Sequence, residues 1–421
     1  MALPKRILIL TSDAGFGHRK ASQAVAEALV ETYGDRCQID IVNPLDDKRV
    51  PFFLRDIQDD YDKAVRANPA LLRMGYEVIN SAVSSAIAES ALSVLMFEVM
   101  QDIVHTYQPD AILITYPMYQ EPLKAVFTVY RFTVPMFTVI TDLVSVHWMW
   151  FNPAVDACLV PTEELRQRAS DFNMPIEKIV VTGIPVHPDV VREQRDKAEI
   201  RKELGWNTDL TTILAVGSRR VEGLVKTLDV INHFGSQLQV AAACGNDPEL
   251  YEQLKNIDWH IPVHLYEYAA NIPTLMHASD MIISKAGGLI VTESLACGLP
   301  MLLVNVLPGQ EEGNAEYVVN HGAGELALNQ FQVLEVLSHW LKNDGRVLKL
   351  RAERAKALGK PRAAYMIADL LWKAAEVGPV KKQARRIRGR PELIKLLQRN
   401  RVHWRRRWPF AEYTDTKEHE R

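Results

Sequence analysis

Apolar residues follow two patterns along this chain: short continuous runs closed by Gly, Ser, Asp or Thr, and longer stretches where they recur every third or fourth position. Residues 6–11 form the first run, stop at Ser12 and Asp13, and predict a buried strand. Residues 21–32 then carry small and apolar side chains at helical spacing, and 38–42 predict a second strand. Residues 56–106 are helix-prone, with Pro69 as a break. Further strands are predicted at 111–115, 136–140, 157–160 and 178–182, separated by helical patterns. The stretch Gly183-Ile-Pro185-Val-His-Pro188 interrupts the series, and a charged segment follows from Arg192 to Glu203. A second series opens at 211–216 and continues through 238–243, 263–265, 281–284 and 300–304, ending in a helical stretch near 333–376. Short strands alternating with helices predict mostly parallel, doubly wound sheets. Two such series predict an α/β protein of two Rossmann-like domains, 1–190 and 191–376, with a cleft between them. Ligands favour the carboxyl ends of the strands in such sheets.

A length of 421 residues suits two or three domains of ordinary size. Cys37, Cys158, Cys244 and Cys297 lie far apart with no CxxC pair, which argues against a disulfide framework or zinc knuckle and fits a reducing compartment. Neither a signal peptide nor a membrane span is predicted, since every apolar run is too short. Charge changes the picture more. The net charge is −3, but residues 380–410 hold twelve Lys/Arg against one acidic residue, a local +11 that leaves −14 for the remainder. Residues 377–421 therefore read as a basic tail, with Trp404, Trp408 and Phe410 among its cations. Such a tail fits an anionic membrane surface. The acidic body would repel a nucleic-acid backbone, so no nucleic acid is expected as partner.

Candidate chemistry clusters at strand ends. Gly15 and Gly17 sit between the first strand and the first helix, where free N–H groups can face an anion. The dinucleotide pattern is incomplete, because its third glycine position holds Lys20 or Ala21. His18 lies on the turn itself, well placed as a general base or else an ordinary first-turn residue. The segment Ser284-Lys285-Ala286-Gly287-Gly288 ends a strand and opens a helix, so backbone amides can again meet a phosphate. Glu293, one to two turns on, can reach ribose hydroxyls. Gln310, Glu311 and Asn314 lie in a polar loop beyond the next strand. Asp142 and His147 flank a strand end before Trp148-Met149-Trp150-Phe151, a cluster that reads either as core or as a holder for an acyl chain. Asp60 and Asp62 have the acidic spacing of metal-dependent sites but sit in a helical acidic stretch, and read as a solvated face.

In order and spacing these motifs resemble the monogalactosyldiacylglycerol synthases and the bacterial processive diacylglycerol glucosyltransferases, over roughly residues 5 to 365. They resemble more loosely the lipid-linked N-acetylglucosaminyltransferase of peptidoglycan synthesis. The resemblance implies a GT-B, inverting glycosyltransferase that needs no metal or other cofactor, with an acceptor-side first domain and a nucleotide-sugar-binding second domain. By the same resemblance His18 is the base or its close support, with Gly15, Gly17, Asp142 and His147 on the acceptor side. Lys285, Gly287 and Gly288 serve the diphosphate, and Glu293 the ribose. Gln310, Glu311 and Asn314 lie near hexose and phosphates. One loop departs from the family: Gly217-Ser218-Arg219-Arg220 stands where a glycine run is usual. Its arginines either replace backbone donors to phosphate or face solvent, and Ser218 and Arg219 count here as donor-side candidates. The expected reaction moves a hexose from a UDP-sugar to a lipid such as diacylglycerol. The expected location is cytoplasmic, peripheral on the inner face of the plasma membrane. A nucleotide-sugar 2-epimerase of similar architecture is the alternative, and a non-catalytic binder of sugar nucleotide or lipid a third.

Overall fold

The computed structural model describes residues 3–14, 16–55, 90–172, 174–217, 223–235, 237–306 and 311–381. The first sheet comprises β1 (Lys5–Leu10), β2 (Cys37–Val42), β3 (Ala111–Ile114), β5 (Met136–Val139), β6 (Ala157–Val160) and β7 (Ile179–Val181), while β4 (Phe132–Thr133) stands apart from it. Its strand order is β2-β1-β3-β5-β6-β7, with every pairing parallel. The second sheet comprises β8 (Thr211–Val216), β9 (Leu238–Ala243), β10 (Val263–Tyr266), β11 (Met281–Lys285), β12 (Met301–Asn305) and β13 (Gly324–Leu326), in the order β10-β9-β8-β11-β12-β13. It too is wholly parallel. In both sheets strand order reverses beside the first strand of the series, which opens the crevice where such folds bind ligands.

Continuous apolar runs form these strands because both faces are covered. Leu8, Leu10, Ile112 and Ile114 pack into one core, while Ile7, Ile9, Ala111 and Leu113 alternate into another on the opposite face. The strands predicted from periodicity are present to within about two residues at each end. The pattern missed β13, whose Gly-Glu-Leu sequence has one bulky apolar residue. It also missed β14 (Val380–Lys381), which pairs antiparallel with β4.

One assignment needs correction. The Ala363–Val377 helix, placed by the sequence reading in the second domain, packs on the first. Ala364, Ile367, Ala368, Leu371 and Ala375 share a buried core with Ala24, Val25, Ala28 and Leu29 of the Phe16–Tyr33 helix, and with β1 and β3. Its alanines let two helix backbones approach closely. Trp372 stacks on Tyr33 at 4.2 Å, and the Tyr33 hydroxyl donates to Asp369 Oδ1 at 2.7 Å. Helical spacing reveals an apolar stripe but not which sheet the stripe covers.

A second tie joins the linker to the same first helix. His187 Nε2 lies 2.7 Å from Glu27 Oε2, and Arg192 reaches Glu27 and Asp189 at 2.6 Å and also pairs with Glu31. Glu27, His187 and Asp189 are close enough to share a metal ion, but Arg192 already occupies both of these carboxylates. Among the described residues no helix is long and apolar enough to cross a membrane. The acidic pair at Asp60 and Asp62, and the basic tail beyond Lys381, lie outside the described residues.

Candidate active site

Three strand ends of the first sheet build one wall. Thr11, Thr115 and Thr141 follow β1, β3 and β5, and all three are buried. Thr115 Oγ1 donates to Thr11 Oγ1 at 3.0 Å and lies 2.9 Å from Ser22 Oγ, whose hydroxyl bonds the His18 carbonyl at 3.0 Å. This hydroxyl chain fixes the start of the Phe16–Tyr33 helix over the sheet. The helix begins earlier than its apolar spacing suggested, so His18 stands in its first turn. The His18 ring meets Tyr116 edge-on at 5.1 Å and tilts against Trp150 at 6.1 Å, and its Nδ1 lies 3.1 Å from Thr141 Oγ1. Burial drives its pKa down to about 4, against an opposing hydrogen bond to the Thr115 backbone. At neutral pH His18 is therefore uncharged, the form a base requires.

The facing wall comes from the loops after β11 and β12. Lys285 pairs with Glu311, beside Gly287. Gly287 starts the Gly288–Ala296 helix with no side-chain cap, leaving first-turn N–H groups for another partner. Glu293 lies farther along that helix, where burial raises its pKa to about 7 and the charge of Lys20 from the first domain opposes the rise. Asp142 is pushed up to about 6, mainly by burial and also by Glu311, while Asn314 and Lys285 work the other way.

The walls touch along the loop after β5. Leu143 N donates to Asn314 Oδ1 at 2.9 Å, and Asn314 Nδ2 donates to the Ala286 carbonyl at 3.1 Å and to Asp142 Oδ1 at 3.4 Å. Asn314 is 1% exposed. Two glycines permit this approach. A Cβ on Gly288 would stand 2.3 Å from the Thr141 carbonyl oxygen, and one on Gly313 would stand 2.3 Å from Ser145 Oγ. A Cβ on Gly17 would meet nothing within 4 Å, so that glycine faces open space.

The structure thus brings together His18, Asp142, Lys285, Gly287, Gly288, Glu293, Glu311 and Asn314. Gly15, Ser218, Arg219, Arg220 and Gln310 lie outside the described residues. His147 has a local task, its Nδ1 accepting from Met149 N at 3.3 Å to close the Trp148–Trp150 turn. In the aromatic cluster Trp150 and Phe151 are core, with Phe151 stacked on Phe172, while Trp148 and Met149 are half-buried. Sequence reading gave no site role to Thr115, Thr141, Ser145 or Lys20, although Thr141 adjoins Asp142 and Lys20 lies two residues after His18.

Glu293 supplies a stability test. Its folded pKa of about 7 exceeds the ordinary 4.5. The folded state therefore keeps a proton that the unfolded chain has released, and stability falls as pH rises from about 4.5 to 7. Glu293→Gln should raise stability by about 1–3 kcal/mol at pH 8, several degrees in a thermal melt, and change little at pH 4.5. Melts of both proteins at the two pH values check the sign.

Two Rossmann-like domains that meet at their strand ends over a neutral histidine, a lysine and an uncapped helix start define a GT-B enzyme, and comparison with known proteins agrees. The solved structure of Acinetobacter baumannii MurG superimposes with a TM-score of 0.57 at 14% identity, covering 88% of this chain and all of that one. Staphylococcus aureus MnaA with UDP gives 0.55 at 15% identity, over 91% of this chain and all of that one. Residues 18–186 match the monogalactosyldiacylglycerol synthase model, and 211–368 match the C-terminal domain of glycosyltransferase family 28. The chloroplastic monogalactosyldiacylglycerol synthase of Spinacia oleracea is 32% identical over 385 residues, 86% of this chain and 71% of that protein. Monogalactosyldiacylglycerol synthase 1 of Arabidopsis thaliana is 30% identical over 374 residues, covering 86% and 70%. The chain belongs to the monogalactosyldiacylglycerol synthase family, and is a glycosyltransferase that acts on a lipid.

Proposed function

We propose that the protein transfers a hexose from a UDP-sugar, with inversion, to a hydroxyl of a lipid such as diacylglycerol. The acceptor oxygen attacks the anomeric carbon, its proton passes to His18, and the bond from that carbon to the β-phosphate oxygen breaks to release UDP. One observation carries the reading: a half-buried, neutral His18 on the first wall opposes Lys285 and an uncapped helix start on the second. A base on one side and anion stabilisation on the other is the division of labour that direct displacement needs. The incoming diphosphate would draw Lys285 from Glu311 and meet the helix N–H groups, with no metal ion in the step.

Glu293 fits the ribose. Glu293→Ala should weaken UDP binding and erase any preference for UDP over 2′-deoxy-UDP, both read by titration calorimetry. Continued discrimination in the variant would place ribose recognition elsewhere. The reaction itself is tested by incubating the protein with a panel of UDP-sugars and membrane lipids and identifying new glycolipids by mass spectrometry. Production of an epimerised sugar nucleotide without acceptor would instead select a 2-epimerase. For the lipid acceptor to be reached, we propose peripheral attachment to an anionic membrane, the inner face of the plasma membrane, through the basic tail.

A further inference from the structure

We propose that Asn314 does not serve the donor but, with the close approach that Gly288 permits, seats the 141–143 loop, so that contact with the second domain sets the orientation of His18 through Thr141. The proposal rests on the transfer reading above for its kinetic part. Asn314 is buried and uses its whole amide within the protein. It accepts from Leu143 N and donates to the Ala286 carbonyl and to Asp142 Oδ1. Leu143 is held from behind, where its carbonyl accepts from Thr162 Oγ1 at 2.9 Å. Two residues before Leu143, the Thr141 carbonyl fills the space that a side chain on Gly288 would take, and the Thr141 hydroxyl meets His18 Nδ1. Asn314, the loop, Thr141 and His18 thus form one contiguous series of contacts that crosses the cleft. A base misplaced by about 1 Å can cost about 10²-fold in rate. Thr141 and Asn314 are accordingly positioning residues, and neither needs to touch a substrate.

Three variants test the arrangement. Thr141→Val keeps shape and removes the hydroxyl, Thr141→Ser restores a hydroxyl, and Asn314→Ala removes the amide. Thr141→Val and Asn314→Ala should each lower kcat by about 10–100-fold while UDP affinity, measured by calorimetry, stays within about twofold. Thr141→Ser should recover most of the loss. The double variant Thr141→Val/Asn314→Ala should fall little below the worse single variant, since both changes break one series of contacts. The imidazole nitrogen chemical shifts of His18 in histidine-labelled protein should move in Asn314→Ala as they do in Thr141→Val. This readout needs no turnover. A UDP affinity that drops in step with kcat in Asn314→Ala would overturn the proposal and make Asn314 a donor contact. Multiplicative losses in the double variant, or an unmoved His18 signal in Asn314→Ala, would overturn it as well. A wild-type protein that makes no glycolipid would defeat the transfer reading, and the nitrogen shifts would still decide the positioning claim.

Discussion

Replacing His18 with alanine should lower turnover by about 10²–10⁴-fold while UDP affinity barely changes. The expectation follows from where the ring stands and what surrounds it. His18 occupies the first turn of a helix fixed through Ser22, Thr115 and Thr11, so truncation removes a side chain without releasing its backbone. Its surroundings on the first-domain wall are Tyr116, Trp150 and Thr141, none of them from the loops that hold Lys285 and Glu311. Donor affinity and proton removal are therefore separable. The low pKa has its own consequence. A base with a pKa near 4 stays unprotonated down to mildly acidic pH, so the acid limb of kcat/KM should not fall near pH 6.5, where an ordinary histidine titrates. Equal losses in UDP binding and turnover would mark His18 as structural.

The second large effect concerns the basic tail. Truncation after Lys381 should abolish binding to anionic liposomes and leave the thermal melt unchanged. Twelve basic residues within 380–410, beside Trp404, Trp408 and Phe410, supply both a charged and an apolar component. Raising salt should weaken liposome binding by the full chain, because exposed charge is screened over about 8–10 Å at physiological ionic strength. The cut site follows from the structure. Lys381 pairs with Phe132 and Val380 with Thr133, and the Ala363–Val377 helix covers the first sheet, so an earlier cut removes part of the first domain's packing. Activity toward acceptor in vesicles should suffer more than activity toward acceptor in detergent. Normal liposome binding by a truncated protein that melts normally would exclude the tail as anchor and turn attention to Trp148 and Met149.

The parts of the architecture visible in sequence share a physical cause. A parallel strand covered on both faces must be apolar at consecutive positions, so Ile7–Leu10, 112–114 and 281–283 announce themselves. Gly288 was equally visible, because a glycine pair between a strand and a helix is an uncommon event. Its neighbour in space was not. Periodicity says that backbone approaches at Gly288, but only the folded chain reveals the Thr141 carbonyl there. Asn314 shows the same limit. Its polar loop marks a strand end, yet whether its amide meets a sugar or Leu143 depends on residues about 170 positions away, a long-range fact that local pattern does not encode. The path of the Ala363–Val377 helix was hidden for the same reason.

That helix also determines when the protein can finish folding. Ala24, Val25, Ala28 and Leu29 emerge from the ribosome early, whereas Ile367, Ala368 and Leu371 emerge after the entire second sheet. At about 5–20 residues per second, more than three hundred residues of synthesis separate the two halves of this core, roughly 15–70 s. Until the helix arrives, the part of this apolar face that the Phe16–Tyr33 helix does not cover is bare, and it remains so in any fragment that ends near residue 190. A gene split at the apparent domain border should therefore yield an aggregating first half, rescued when the last helix is supplied with it. Circular permutation that moves residues 363–381 to the front of the chain should let the first domain close before the second is made.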